Sequence, residues 1–204
     1  MAEHLEIELK WALDAAAHTA LGLALERQLG PPRRLEQDNR FFDTPDRRLR
    51  RGLLNLRLRR ENDRLLMTCK GRGGLGPDGE HRHREWEEWL DPGLWPRVMD
   101  GTLAAVDLPL PTEVREVLDH GTLEALGGFA NLRLEFHQRE TPVALLCLDR
   151  TTFNDQRVDY ELEIETAEPA ASARLWRERL EEWGIPFTPQ PLTKFARFCA
   201  RASA

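Results

Sequence analysis

Short runs in which charged and apolar residues alternate one for one recur along this chain, and each commits its segment to a strand with one charged and one apolar face. In Glu6-Ile7-Glu8-Leu9-Lys10 two carboxylates and an ammonium share one face, while Leu5, Ile7, Leu9 and Trp11 share the other. Leu54, Leu56 and Leu58 oppose Asn55, Arg57 and Arg59; Leu65, Met67 and Cys69 oppose Thr68 and Lys70; Trp86, Glu88 and Leu90 oppose Glu85 and Glu87. Arg133, Glu135, His137 and Arg139 alternate with Leu132, Leu134 and Phe136. Tyr160-Glu161-Leu162-Glu163-Ile164-Glu165 then repeats the opening pattern with three carboxylates on one side. A sustained period of two argues strand, not helix, for each of these segments.

One such strand alone is the ordinary product of a face turned to water. What changes the reading is that the charges sort by strand: Glu6, Glu8, Glu85, Glu87, Glu161 and Glu163 stand against Lys10, Arg57, Arg59, Lys70, Arg133 and Arg139. Six or more alternating strands separated by turn signals predict a largely antiparallel sheet or barrel. If that sheet closes with its polar faces inward, the lumen holds both signs of charge, which are costly to desolvate without ligands. A polyphosphate together with divalent cations would satisfy both sets.

The intervening segments read as follows. Asp14 to Leu29 predicts a helix stopped by Gly30-Pro31-Pro32, and Gln37 to Asp43 a strand closed by the turn Thr44-Pro45-Asp46, with a further turn over 47–51. Gly71 to Gly79 predicts a mobile hairpin connection; it lacks the spacing and the following Lys-Ser/Thr of a phosphate loop. His81-Arg82-His83 is expected to be solvated and not a metal pair. Helices are predicted over Leu94 to Val106, Thr112 to Leu126 and Ala170 to Trp183, a strand over Val143 to Asp149, and a last helix near Thr193.

The 204 residues suit one domain, and a net charge of -6 argues against a nucleic-acid module held by overall attraction. In the arginine-rich stretch 47–64, Arg57 and Arg59 alternate with leucines, which with the net acidic charge argues against a patch for nucleic acid. Neither a secretory signal nor a membrane span is read, and three widely spaced cysteines, Cys69, Cys147 and Cys199, suggest neither a disulfide frame nor a zinc knuckle. A cytoplasmic protein with no membrane partner is therefore expected. Of 29 basic residues, only Lys10, Lys70 and Lys194 are lysines. A bias toward arginine codons accounts for the scarcity but not for the placement, and a compact ammonium is not interchangeable with a guanidinium at a phosphate. The serines, Ser172 and Ser203, are poorly placed for a serine hydrolase, and Cys69 alternates away from the Lys70 face.

These residues resemble the CYTH superfamily, the triphosphate tunnel metalloenzymes that include inorganic and thiamine triphosphatases. The resemblance rests on Glu6-Ile7-Glu8-Leu9-Lys10, Phe41-Phe42-Asp43-Thr44-Pro45-Asp46, Leu56-Arg57-Leu58-Arg59, Thr68-Cys69-Lys70-Gly71, Arg84-Glu85-Trp86-Glu87, Cys147-Leu148-Asp149-Arg150, Glu161-Leu162-Glu163, and Thr193-Lys194 with Arg197. It implies a mainly β (α+β) fold: an antiparallel closed β-barrel of about eight strands forming a tunnel, with helices packed outside. Residues 1–204 would form one domain whose final helix, about 193–202, closes the tunnel.

The resemblance also implies roles. Glu6, Glu8, Lys10 and Glu163 are the expected catalytic residues. Glu6, Glu8, Glu161 and Glu163 would hold Mg2+ or Mn2+, with the choice between Glu161 and Glu165 as partner to Glu163 left open. Lys10, Arg57, Arg59, Lys70, Arg133, Arg139 and Lys194 would grip phosphates, and Asp149 and Glu85, with Glu87, would orient lysines or metal-bound water. Phe41 and Phe42 depart from a pattern that usually has tyrosine there, and only the catalytic module is expected, without an added C-terminal helical domain. The implied reaction is hydrolysis of inorganic tripolyphosphate to diphosphate and phosphate by a monomer or homodimer. Alternatives are a thiamine triphosphatase, with Trp89 as the ring best placed to stack on an organic group, and a non-catalytic polyphosphate- or nucleotide-binding module.

Overall fold

The structure, a computed structural model, describes residues 2–77 and 79–202. Its elements run β1 (Ala2–Leu13), α1 (Ala15–Leu29), β2 (Arg33–Asp43), α2 (Arg48–Arg51), β3 (Asn55–Glu61), β4 (Arg64–Leu75), β5 (His81–Leu90), α3 (Trp95–Asp100), α4 (Thr112–Leu118), β6 (Glu124–Gln138), β7 (Ala144–Phe153), β8 (Val158–Glu165), α5 (Pro169–Glu182), β9 (Thr188–Pro189) and α6 (Lys194–Ala202). The strands hydrogen-bond in the order β5-β4-β3-β2-β6-β7-β8-β1-β9, and β5 also pairs with β1. That pairing returns the ladder to its start, so eight strands close as an antiparallel barrel with β9 as an extra strand and the helices outside. Closure removes the exposed edges that open antiparallel sheets must otherwise protect.

Two compact units divide the chain: Met1–Leu5, Glu36–Gly73 and His83–Ala130 form the first, and Glu6–Leu35, Gly74–Arg82 and Asn131–Ala204 the second. In the first, Phe42, Leu56, Leu58, Met67, Cys69 and Trp86 join Leu49 of α2, Val98 of α3 and Val114 and Leu118 of α4 in one apolar cluster. The β3 register pairs Leu56 with Phe42 and Cys69, and Leu58 with Met67, so the alternating leucines share the covered face. Arg57 pairs with Phe41 and Thr68, which puts it on the opposite face.

In the second unit, Leu9, Trp11, Leu146, Leu148, Leu162 and Ile164 pack with Ala17, Leu21 and Leu25 of α1 and with Ala173, Trp176 and Leu180 of α5. Helix α1 starts where the Asp14 carboxylate accepts from the Ala17 N–H at 2.7 Å and stops at Gly30, whose φ of 88° suits glycine. Its inward residues recur at four-residue spacing because that spacing keeps one face of a helix on the sheet. Trp176 is fully buried in this core.

Three expectations shift. The glycine-rich stretch is strand as far as Leu75, leaving a short turn in which Asp78 lies outside the described residues. A Cβ on Gly71 would sit 3.1 Å from the Trp86 ring, so the glycine serves close packing against an aromatic there and not a loop. The helices expected over 94–106 and 112–126 are shorter, ending at Gly101 (φ 74°) and at Asp119 (φ 44°), because left-handed residues break the helical ladder. Strand β6 begins at Glu124, inside the second of those ranges. Among the described residues no helix is long and apolar enough to cross a membrane.

Candidate active site

Register decides which charges meet. In the second unit β1 and β8 pair so that Glu8 lies opposite Glu165, Lys10 opposite Glu163 and Ala12 opposite Glu161. On its other side β8 pairs with β7, setting Glu163 opposite Cys147 and Glu161 opposite Asp149. Directly opposed residues project from the same face of the sheet, so this face is distinct from the one bearing Leu9, Leu162 and Ile164. Two of these pairs, Glu8/Glu165 and Glu161/Asp149, oppose carboxylate to carboxylate, which destabilises a ladder unless a cation lies between them.

For Glu161/Asp149 that cation is present. The Lys194 Nζ donates to Asp149 Oδ2 at 2.7 Å and to Glu163 Oε1 at 2.9 Å, and also ion-pairs with Glu161 Oε1. Arg133 donates to both Asp149 oxygens, at 2.9 and 2.8 Å, and to Glu163 Oε2. Arg197 Nη2 donates to Glu161 Oε2 at 2.7 Å, and Lys10 donates to Glu163 Oε1. Both oxygens of Asp149, Glu161 and Glu163 are thus engaged by cations of the chain itself. These three carboxylates also offer oxygens all within 4.8 Å of one another, a grouping able to hold a cation.

The Glu8/Glu165 pair is held differently. Glu8 Oε2 lies 2.7 Å from Lys10 Nζ, while among the described residues Glu165 has longer contacts, 3.6 Å to Arg133 and 3.7 Å from the Cys147 thiol. Glu6, half-buried, belongs to the same face of β1. His81, expected to be solvated, is 4 % exposed, with its ring nitrogen 3.1 Å from the Gln190 carbonyl; Gln190 N–H in turn donates to the Lys10 carbonyl at 2.9 Å.

Protonation follows from these contacts. Burial raises the Asp149 carboxyl, but the Arg133 and Lys194 charges outweigh it and bring the group down to about 2. Glu163 is likewise held well below the ordinary carboxylate range against its burial, by Lys10, Lys194 and Arg133. Glu165 moves the other way, up to about 7, because burial and the neighbouring Glu6, Glu8 and Glu163 charges outweigh Arg133. Its side chain keeps 32 % exposure, so water moderates the effect.

Asp149 and Glu163 contribute stability that is present above their unfolded values and lost as pH falls below them, toward about 2 for Asp149. Glu165 favours its neutral form in the fold, so its contribution is present below about 4.5 and lost as pH rises through about 7. Thermal midpoints of the metal-free protein are therefore expected to peak near pH 5 and to fall on both sides. A midpoint rising steadily from pH 5 to pH 8 in EDTA would show that Glu165 is not crowded by carboxylates.

The first unit carries its own charged face. Arg57 Nη2 donates to Thr68 Oγ1 at 3.1 Å and lies 3.9 Å from Glu85; Lys70 Nζ is 3.5 Å from Glu85 Oε2, and the Thr68 hydroxyl donates to Glu87 at 3.4 Å. Arg59 pairs with Glu61 at 3.2 Å, and Gln37 donates to the same carboxylate oxygen at 2.9 Å. Phe41, on the Arg57 face, packs against Phe129 with ring centroids 5.5 Å apart, whereas Phe42 enters the core.

Of the sequence-predicted residues, Glu8, Lys10, Arg133, Asp149, Glu161, Glu163 and Lys194 meet in the second unit, and Arg57, Lys70, Glu85 and Glu87 meet in the first. Arg139 is not brought to either group: it follows the end of β6, exposed, and lines a groove with Arg33 and Arg179. Arg197 was named with Lys194 in the resemblance but given no role, and His81 was expected to be solvated. Arg197 carried a readable signal, standing three residues after Lys194 on the same helix face; His81 carried none.

The chain matches the CYTH domain model over residues 4–197. It is 26% identical over 187 residues to a Bacillus subtilis (strain 168) protein named "Putative triphosphatase YjbK", covering 91% of this chain and 90% of that one. Among solved structures, a Hippeastrum protein, HpAC1, superposes with a TM-score of 0.84 at 31% identity over 96% of each chain. It is described as a putative adenylyl cyclase with a dominant triphosphatase activity. A Bacillus halodurans protein described as a putative adenylate cyclase shares the fold, with a TM-score of 0.73 at 22% identity over 97% of this chain and 99% of that one. With a family model spanning nearly its whole length and the strand order and charged faces set out above, the chain belongs to the CYTH domain family.

Proposed function

We propose that this chain is a divalent-metal-dependent triphosphatase that hydrolyses inorganic tripolyphosphate to diphosphate and phosphate. The observation that carries the reading is the register pair Glu8/Glu165: two carboxylates directly opposed, beside Lys10, with Glu6 on the same face. The matching Glu161/Asp149 pair is bridged by an ammonium of the chain, and Glu8/Glu165 is the pair left to an external cation.

Glu8 and Glu165, with Glu6, would hold the ion; carboxylate oxygens suit the hard cations Mg2+ and Mn2+. When bound, such an ion supplies charge neutralisation and a lowered pKa for a coordinated water. On this reading Glu165 joins Glu8 and Glu6 at the ion, beside Asp149, Glu161 and Glu163, whose oxygens lie within 4.8 Å of one another and could also hold a cation.

The chain's own residues do the rest. Lys10, 6 % exposed, is fixed between Glu8 and Glu163 and kept charged: burial opposes its charge, and Glu163, Glu8 and Glu161 outweigh that burial. Lys10, Arg133 and Lys194 supply donors for phosphate oxygens in the second unit, and Arg57, Arg59 and Lys70 a comparable set in the first. Glu85 steadies Arg57 and Lys70, and Thr68 fixes the Arg57 fork. Phosphoryl transfer asks mainly for positioning and charge stabilisation, which a fixed cationic lining provides.

The triphosphatase activity named for HpAC1, at 31% identity, supports the same class of reaction. An inorganic substrate is favoured over thiamine triphosphate because Trp89, the ring offered for stacking, already has the Arg64 guanidinium over its face at 3.5 Å. Phosphate release from tripolyphosphate, thiamine triphosphate, ATP and pyrophosphate at equal metal concentration tests the preference. Tripolyphosphate is expected to give the highest kcat/KM, and a higher value for thiamine triphosphate would reverse it.

A further inference from the structure

Arg139 belongs to neither charged group described above, yet other arginines gather around it. The end of α1, the start of β2, the end of β6 and the last turn of α5, all in the second unit, enclose a groove of about 690 Å³. Arg33, Arg139 and Arg179 line it, together with Glu135 and Glu140. Its volume falls within the range of about 300–1,000 Å³ typical of small-molecule sites. In a chain with a net charge of -6, a concave surface with more guanidinium groups than carboxylates is a local reversal of sign. We propose that this groove is a second anion site, sharing no residue with the proposed triphosphatase site, that takes a small oligophosphate such as diphosphate.

Arg179 is aimed by its surroundings. Its guanidinium lies over the ring of the buried Trp176 at 4.9 Å, and its Nη1 is 3.5 Å from Gln138 Oε1. Gln138 is 4 % exposed, and its Nε2 donates to the Pro142 carbonyl at 2.8 Å and to the Glu140 carbonyl at 3.4 Å. The amide orientation is thereby fixed, since turning it would set its oxygen against two carbonyls. Stacking uses the face of a guanidinium and leaves its in-plane N–H groups for a ligand.

The other two guanidinium groups are open to exchange. Arg33 meets Glu135 at 3.4 Å with more than half of its own side chain exposed, a contact that holds the charge weakly. Arg139 stands one residue beyond β6, exposed, with no hydrogen bond or ion pair among the described residues. Two features oppose an anion: Glu140, exposed on the same rim, and the C-terminal end of α1, which carries a partial negative charge of about half a unit. With Glu135 answered by Arg33, the surplus of positive charge is small. A monovalent carboxylate therefore gains little here and can fill one fork. Diphosphate carries more charge and presents oxygens on two phosphorus centres, enough for a fork from each arginine.

Binding there needs neither a metal nor the tripolyphosphatase reaction. The test is titration of the metal-free, 15N-labelled full chain with sodium diphosphate, read by NMR at the arginine Nε–H signals. Those of Arg33, Arg139 and Arg179, each assigned by its loss in the corresponding glutamine variant, are expected to shift together to saturation with one midpoint. Arg179→Gln should raise the midpoint seen at Arg33 and Arg139 about tenfold. Arg139→Gln, a change at an exposed position outside the core, should do the same for Arg33 and Arg179 and serves if the first variant does not fold. Shifts that grow without saturating, the same shifts produced by sodium acetate at equal ionic strength, or a midpoint unmoved in the folded variants would each overturn the proposal.

Discussion

Glu8→Gln is expected to lower metal-dependent phosphate release from tripolyphosphate by about a thousandfold or more, while the thermal midpoint stays within about 3 °C of wild type. Glutamine keeps the shape of a side chain that is 2 % exposed, so packing is preserved. It removes one of two opposed carboxylates, which relieves repulsion with Glu165 in the absence of metal. Lys10 loses one anionic neighbour but keeps Glu163. Stability and activity should therefore separate, and a rate within tenfold of wild type would remove Glu8 from the reaction.

Asp149→Ala should show the reverse emphasis, with a large loss of stability. Asp149 is fully buried and holds Arg133 through two hydrogen bonds, Lys194 through a third and Asn131 through a fourth. Its removal leaves two buried cations short of their partner, at a cost of about 3–5 kcal/mol. For a chain of this length that corresponds to a fall of roughly 10 °C in thermal midpoint. Equal midpoints for Asp149→Ala and wild type would contradict the assignment of Asp149 as the anchor of this network.

The strands were legible because period two survives every local irregularity: Leu56 and Leu58 enter the core while Arg57 and Arg59 do not, as the alternation requires. The faces of Glu6-Ile7-Glu8-Leu9-Lys10 and Glu161-Leu162-Glu163 followed from the same rule. Register was not legible, since a shift of two residues preserves every face while changing every partner. That is why Glu165, and not Glu161, turned out to oppose Glu8, and why the contact of Glu161 with Lys194 could not be read beforehand, whereas Asp149 as a partner of a lysine was implied by the family resemblance. Arg139 was placed by extending the β6 alternation one step beyond the strand's end at Gln138. The short helices around Gly101 and Asp119 were over-extended because apolar spacing persists past residues whose backbone has already left the helix.

The central claim, a metal-dependent triphosphatase, is tested most directly by following tripolyphosphate with the wild-type chain in Mg2+ or Mn2+ and in EDTA, using phosphorus NMR to identify products. The account predicts equal amounts of diphosphate and phosphate with either metal and no turnover in EDTA. Tight metal-dependent binding of tripolyphosphate without hydrolysis of any triphosphate would contradict it and leave a binding module in its place.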